Sequence, residues 1–312
     1  MRASRFFDIS CEMRPSVLQR SAPTRTAPFQ TLMYSLPSRA LRTLGAAACG
    51  LALLSGCDAT PDTAMLTLNV DPMAGGSALQ AGQPFQVDGR TGQLDVARLY
   101  LSDITLLHED GREVTLTADP ITVRAREQDD TEIQHTVTDR YVLVAGDAGR
   151  TSVSLGEVPS GMYTGVRFML GVDGLDNRIA MEDAPATHPL AAQTPSMHWN
   201  WNSGYVFLRM DGLLDIDGDG TPDPAAGDPG SADSGQWRLH LGLTANARTI
   251  ELTQDFEIDG GEMESLDLEV DFAKFVTSTD YSVAGNRFCM TGGCANVVDV
   301  AKANVSSAFS LQ

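Results

Sequence analysis

Between residues 65 and 272 the chain reads as short runs of alternating apolar and polar positions, each closed by turn residues. In SLDLEVDF (265–272), Leu266, Leu268, Val270 and Phe272 fall on one side, while Asp267, Glu269 and Asp271 fall on the other. That is the period of a half-buried strand. The same reading picks out MLTLNV (65–70), ARLYLSDITLLHEDG (97–111), EVTL (113–116), YVLVA (141–145) and TSVSLG (151–156). A second group follows in YTGVRFMLGV (163–172), GYVFLRM (204–210), WRLHLGL (237–243), TIELTQDFEI (249–258) and the segment already described. His108-Glu109-Asp110-Gly111, followed by Arg112, reads as a hairpin turn with Asp-Gly as its turn pair. No convincing helical period occurs before residue 294. Ala295 to Phe309 predicts one short terminal helix, with Val297, Val298, Ala301 and Val305 on a common side. Ten strands in roughly 250 residues, without βαβ alternation or an internal repeat, predict an all-β fold. The expected architecture is a single antiparallel β-sandwich with a short C-terminal helix or tail.

The segment ahead of the strands changes the picture. Leu44 to Leu54 is apolar, too short to span a bilayer as a permanent helix, and preceded by Arg39 and Arg42. It ends in Leu54-Ser55-Gly56-Cys57, which resembles a bacterial lipobox, where cleavage leaves Cys57 as a diacylated N-terminus. Met33 gives an ordinary charged start to such a leader, so residues 1–32 read as an over-extended start. The expected organisation is a leader at 33–56, a lipidated tether at 57–64 and one domain at 65–312. The expected location is the bacterial cell envelope, anchored by lipid and facing the periplasm or the surface. Cys11 and Cys49 precede the cleavage point, which leaves Cys289 and Cys294 to close a small disulfide loop outside the cytoplasm.

Charge sharpens once the leader is removed. Taking the seven Arg and two acids of residues 1–56 from totals of 22 and 41 leaves 15 basic and 39 acidic residues, a net of −24. Such a surface repels nucleic acid and anionic membrane, and suits cations or basic partners; it equally serves to keep an exported protein soluble. One acidic stretch has a specific form. Asp215, Asp217, Asp219, Thr221 and Asp223 occupy loop positions 1, 3, 5, 7 and 9, with Gly220 at position 6, in the spacing of a calcium-binding loop. Position 12 is Ala226, so the loop resembles the shorter DxDGDGxxD type, with Asp228 or a more distant acid available as a further ligand. The alternative to calcium is that residues 211–236 form a flexible acidic insertion rich in Pro and Gly.

All three tryptophans, and three of five histidines, lie between residues 188 and 240. In Met197-His198-Trp199-Asn200-Trp201-Asn202-Ser203-Gly204-Tyr205, an extended chain would send His198, Asn200 and Asn202 one way, and Trp199, Trp201 and Ser203 the other. Trp237 and His240 would occupy opposite faces of a later strand. Imidazoles meeting across a sheet near oxidisable rings suit a transition metal. From spacing alone, however, Trp199 and Trp201 read as core aromatics, His240 as a hydrogen-bonded core residue, and Met169, Met197 and Met210 as packing. His108 and His135 read as solvated, the latter in a charged loop from Arg124 to Arg140.

The strings GMYTGVRFMLGVDGLDN, PSMHWNWNSGYVFLRMDG and WRLHLGL, with VARLYLSDITLLHEDG before them and FCMTGGCANV after, resemble the MbnP family of copper-associated periplasmic proteins. That family is grouped with the CorA and MopE copper proteins of methane oxidisers. The resemblance spans about residues 65 to 310. It implies copper, and a di-haem, peroxidase-like partner, MbnH, that oxygenates one tryptophan to kynurenine. By resemblance the candidates for modification are Trp199 and Trp201, and the leading copper ligand is His240, with His198 and His188 nearby. Two departures stand out. Where the family commonly has Asn-His, this chain has Asn177-Arg178; Val87 or Asp88, and Ala245 or Asn246, stand where two family cysteines are expected. Their joint absence fits a disulfide lost as a pair. No GxSxG, HExxH, phosphate-binding glycine loop or CxxCH haem attachment occurs, so the expected role is non-enzymatic. The alternative is a calcium-stabilised structural or adhesion lipoprotein without a transition metal.

Overall fold

The computed structural model describes residues 62–290 and 294–312. Cys57 and the leader lie outside the described residues. In chain order the strands are β1 (Thr63–Ala74), β2 (Ser77–Ala78), β3 (Pro84–Val87), β4 (Arg90–His108), β5 (Glu113–Thr115) and β6 (Thr117–Arg126). Next come β7 (Glu132–Asp139), β8 (Val142–Ala145), β9 (Thr151–Pro159), β10 (Gly161–Leu170), β11 (His198–Asn200) and β12 (Gly204–Leu214). The last are β13 (Gln236–Gly242), β14 (Arg248–Ile258), β15 (Met263–Asp271), β16 (Phe288–Met290) and β17 (Phe309–Leu311), with helix α1 (Ala295–Asn304) before β17.

These strands form an all-β sandwich. The smaller sheet runs β17-β15-β1-β2, with β9 also on β1. The larger runs β14-β10-β4-β12-β13-β16, with β11 on β12, and β3, β5 and β8 on β4. Alternation does what the sequence pattern requires: Leu66, Leu68, Leu266 and Leu268 from one sheet meet Leu99, Leu101, Phe168 and Leu239 from the other in a single buried core. Val297, Val298 and Ala301 of α1 join it. Most pairings are antiparallel, but β1–β15 and β13–β16 run parallel, a mixture that local alternation does not reveal.

The larger sheet is buried on both faces, and this positions the site. Tyr100 of β4, with Tyr205 and Phe207 of β12, faces outward into a second core closed by Val123, Val137, Ile179 and Leu190. Val123 and Val137 belong to a two-stranded hairpin, β6–β7. The expected charged loop at 124–140 is therefore mostly strand, because so few of its positions are apolar that the alternation is hidden. His135 is not simply solvated: its Nε2 is held by Asp176 Oδ1, and Tyr141 donates to the second oxygen at 2.8 Å. His108 is also covered, its side chain 9% exposed and edge-on to Tyr163 at 5.1 Å.

Candidate metal centre on the outer face of the larger sheet

The Trp-rich segment does not run extended throughout. Asn200 Oδ1 accepts from the backbone N–H groups of Asn202 and Ser203, both at 3.0 Å, and the chain turns there. Trp199 is therefore on β11, whereas Trp201 sits in the turn, its ring under the Arg126 guanidinium at 4.4 Å. The two indoles do not share a face. Gly204 completes the turn with φ +72, and a Cβ there would lie 2.3 Å from Asn177 Oδ1. Asn177 is buried; it accepts from Tyr205 N at 2.8 Å and donates to Thr244 Oγ1 at 3.2 Å. The Asp-Asn and Ser-Gly-Tyr strings thus meet physically, Asn177 tying the loop after β10 to the start of β12.

Trp199 rests on β13. A Cβ built on Gly242 would fall 2.6 Å from Trp199 Cζ3, so only glycine admits the ring there. His240 lies two residues back on the same face, about 7 Å along the strand. It is 4% exposed, and its Nε2 pairs with Asp211 Oδ1 at 2.9 Å. Arg209 Nε and Arg238 Nε donate to the same carboxylate at 2.6 and 2.5 Å. Burial alone would push Asp211 up, but the hydrogen bonds and charges of His240 and Arg209 prevail and hold it at about 2. Trp237 points the opposite way, into the main core. A carboxylate fixing one imidazole nitrogen is the arrangement that orients a ligating histidine.

His198 is buried on β11, its ring edge-on to Tyr205 at 4.9 Å, and its Nε2 has no hydrogen-bond partner among the described residues. His188 is half-buried, its Nδ1 accepting from Leu190 N at 3.2 Å, its ring 6.4 Å from Tyr141. Burial pushes both pKa values down, which keeps the imidazoles neutral and able to coordinate. The three histidines do not assemble with one another. Among the described residues, the one group of three or more His, Cys, Asp or Glu ligand atoms lying within 4.8 Å of one another is Asp215, Asp217 and Asp223. In that loop Asp215 is buried and accepts from Gly218 N and Gly220 N at 2.6 and 2.9 Å. Asp219 accepts from Thr221 N at 2.8 Å and is not one of the three carboxylates that converge. Cys289 and Cys294 carry their sulfurs at bonding distance, with Cα atoms 5.5 Å apart.

With this geometry in view, comparison with known proteins is decisive. The family model described as MbnP matches residues 63–291. The chain belongs to the MbnP family. Among solved structures, MbnP from Methylosinus trichosporium is similar at 21% identity and a TM-score of 0.52, over 80% of this chain and 98% of that one. At that identity the likeness is one of fold. No curated protein matches the chain. Sequence reasoning missed Asp211, Gly242 and the clamp by Asn177, because each acts through a partner distant in sequence. It also paired the two absent family cysteines wrongly. Val87 is joined through β4 to the Leu214 end of β12, whereas Ala245 follows the other end of β13, opposite Val206. About 20 Å of strand separates them, so they do not stand in for one disulfide.

Proposed function

We propose that this MbnP-family protein is a lipid-anchored, exported copper-binding protein, itself non-enzymatic, modified at Trp199 by an MbnH-like di-haem partner. The observation that carries the reading is the seat of Trp199 on Gly242, beside His240 and its Asp211 partner. Conversion to kynurenine cleaves the C2–C3 bond of the indole and inserts two oxygen atoms from O2 or peroxide activated by the di-haem partner; hydrolysis then releases C2 as formate, leaving a ketone and an aniline nitrogen on the strand face that carries the His240 imidazole. Copper accepts such nitrogen and oxygen donors. His240 would be the first donor to the ion, with His198 and His188 as further candidates. Trp201 is the poorer target, since the Arg126 cation above its face opposes positive charge developing on the ring. The lipobox at Cys57 supports anchoring in the envelope. No helix among the described residues is long and apolar enough to cross a membrane. Copper content by elemental analysis of host-produced protein tests this reading: stoichiometric copper supports it, and copper-free protein from copper-replete cells opposes it.

Calcium enters as a structural ion in the Asp215, Asp217 and Asp223 loop, whose carboxylates already converge. Arg90 donates to Asp215 O at 3.1 Å and Arg287 to Ser231 O at 3.0 Å, so both ends of the insertion are tied down without metal. Chelation is therefore expected to loosen only the loop: proteolysis should accelerate between Asp215 and Asp233 while global unfolding shifts little. Digestion with and without chelator checks this, and an unchanged cleavage pattern rejects calcium. A calcium-stabilised adhesion protein without copper is the reading left if calcium binds and copper does not.

A further inference from the structure

Arg178, which stands in place of the family histidine, creates a feature that the copper reading does not use. The bridge between Ala125 and Ile179 is antiparallel, and Ala180 N donates to Arg124 O at 2.8 Å, which sets Arg126 opposite Arg178. Two cationic residues thus stand opposite one another in backbone register, and like charges so placed disfavour the pairing. Their Nε groups are buried, and neither has a hydrogen-bond partner among the described residues. In a mature chain with 39 acids, Arg126 makes no ion pair among the described residues, and Arg178 reaches only Asp130 at 3.8 Å. The neighbouring Arg124, by contrast, is neutralised by Asp183 at 2.7 Å and Glu182 at 3.2 Å.

Each of the two arginines borders a cleft. Arg178 lines one of about 350 Å³ with Asn202 and Ser203; Arg126 lines another of about 390 Å³ with Asn200, Trp201 and Asn202. Asn202 is common to both, so the clefts adjoin. Their walls offer amide and hydroxyl donors, guanidinium N–H groups and one indole face. That is the equipment for a small oxyanion, because arginine recognises carboxylate and phosphate through paired N–H donors.

We propose that Arg126 and Arg178 form a binding site for a small oxyanion, a carboxylate or phosphate, bordered by Trp201 and closed by Asn202. Because Arg126 lies over Trp201, occupancy changes the environment of that indole and is read by its fluorescence. The test is titration of the mature protein with citrate and with inorganic phosphate, at constant ionic strength set with chloride. The expected result is a saturable response to one or both anions, with a Kd on the order of 1 mM or tighter. Which of the two saturates tells carboxylate from phosphate. In Arg126→Gln or Arg178→Gln, shown to be folded by circular dichroism, binding measured by calorimetry should weaken at least tenfold. Arg150→Gln, which removes a cation paired with Asp71 and Asp267 of the smaller sheet, should leave the affinity within about twofold. A response to neither anion beyond that to chloride overturns the proposal. So does equal binding by the wild type and both glutamine variants.

Discussion

Replacing His240 by alanine is expected to cause the largest loss of copper affinity of any single substitution in this protein. Removing a partner that only orients a ligand costs roughly 10–100-fold, so Asp211→Asn should fall in that range. His240→Ala removes the donor itself and should exceed it. The fold is expected to survive, because Asp211 keeps Arg209 Nε at 2.6 Å and Arg238 Nε at 2.5 Å and is not left an unpaired charge. Competition against a copper chelator, together with urea unfolding of the same preparation, separates the two effects. Copper affinity unchanged in His240→Ala, with normal unfolding, would remove His240 from the site.

Gly242→Ala is expected to lower stability and copper affinity together, because the added carbon strikes both the sheet backbone and the Trp199 ring. Its Cβ would lie 2.5 Å from Tyr205 O and 2.6 Å from Trp199 Cζ3, so one contact is with backbone that cannot rotate away. Overpacking of this kind costs about 1–3 kcal/mol. The indole must also leave its place beside His240, so copper affinity should fall even where the variant is folded. Gly285→Ala is the control, since nothing lies within 4 Å of the added carbon. Thermal unfolding of both variants reads the difference. A Gly242→Ala protein as stable as the control would mean that Trp199 does not rest on β13.

The sandwich was legible because burial on one face writes a period of two into strands such as 265–272, where Leu266 and Leu268 reach the main core. The hairpin β6–β7 was not, because it covers a second, smaller core and buries little more than Val123, Ala125 and Val137. Parallel pairing of β1 with β15 joins segments nearly two hundred residues apart, and no local pattern encodes it. At the site, the tryptophans and histidines were visible as residue types. Which of them meet was not, since the turn at Asn200 parts Trp199 from Trp201 and register alone brings Arg209, Asp211, Arg238 and His240 together. Asp219 fitted the loop spacing, but its carboxylate is not among the three that converge.

The most direct measurement is a tryptic mass map of the protein made in its own host together with an MbnH-like di-haem protein, compared with protein made without one. The account predicts that the peptide carrying Trp199 is converted to kynurenine, that Trp201 in its clamp of arginine is untouched, and that only the converted protein retains copper. An intact Trp199 in copper-loaded protein, or oxidation confined to Trp201, would contradict it.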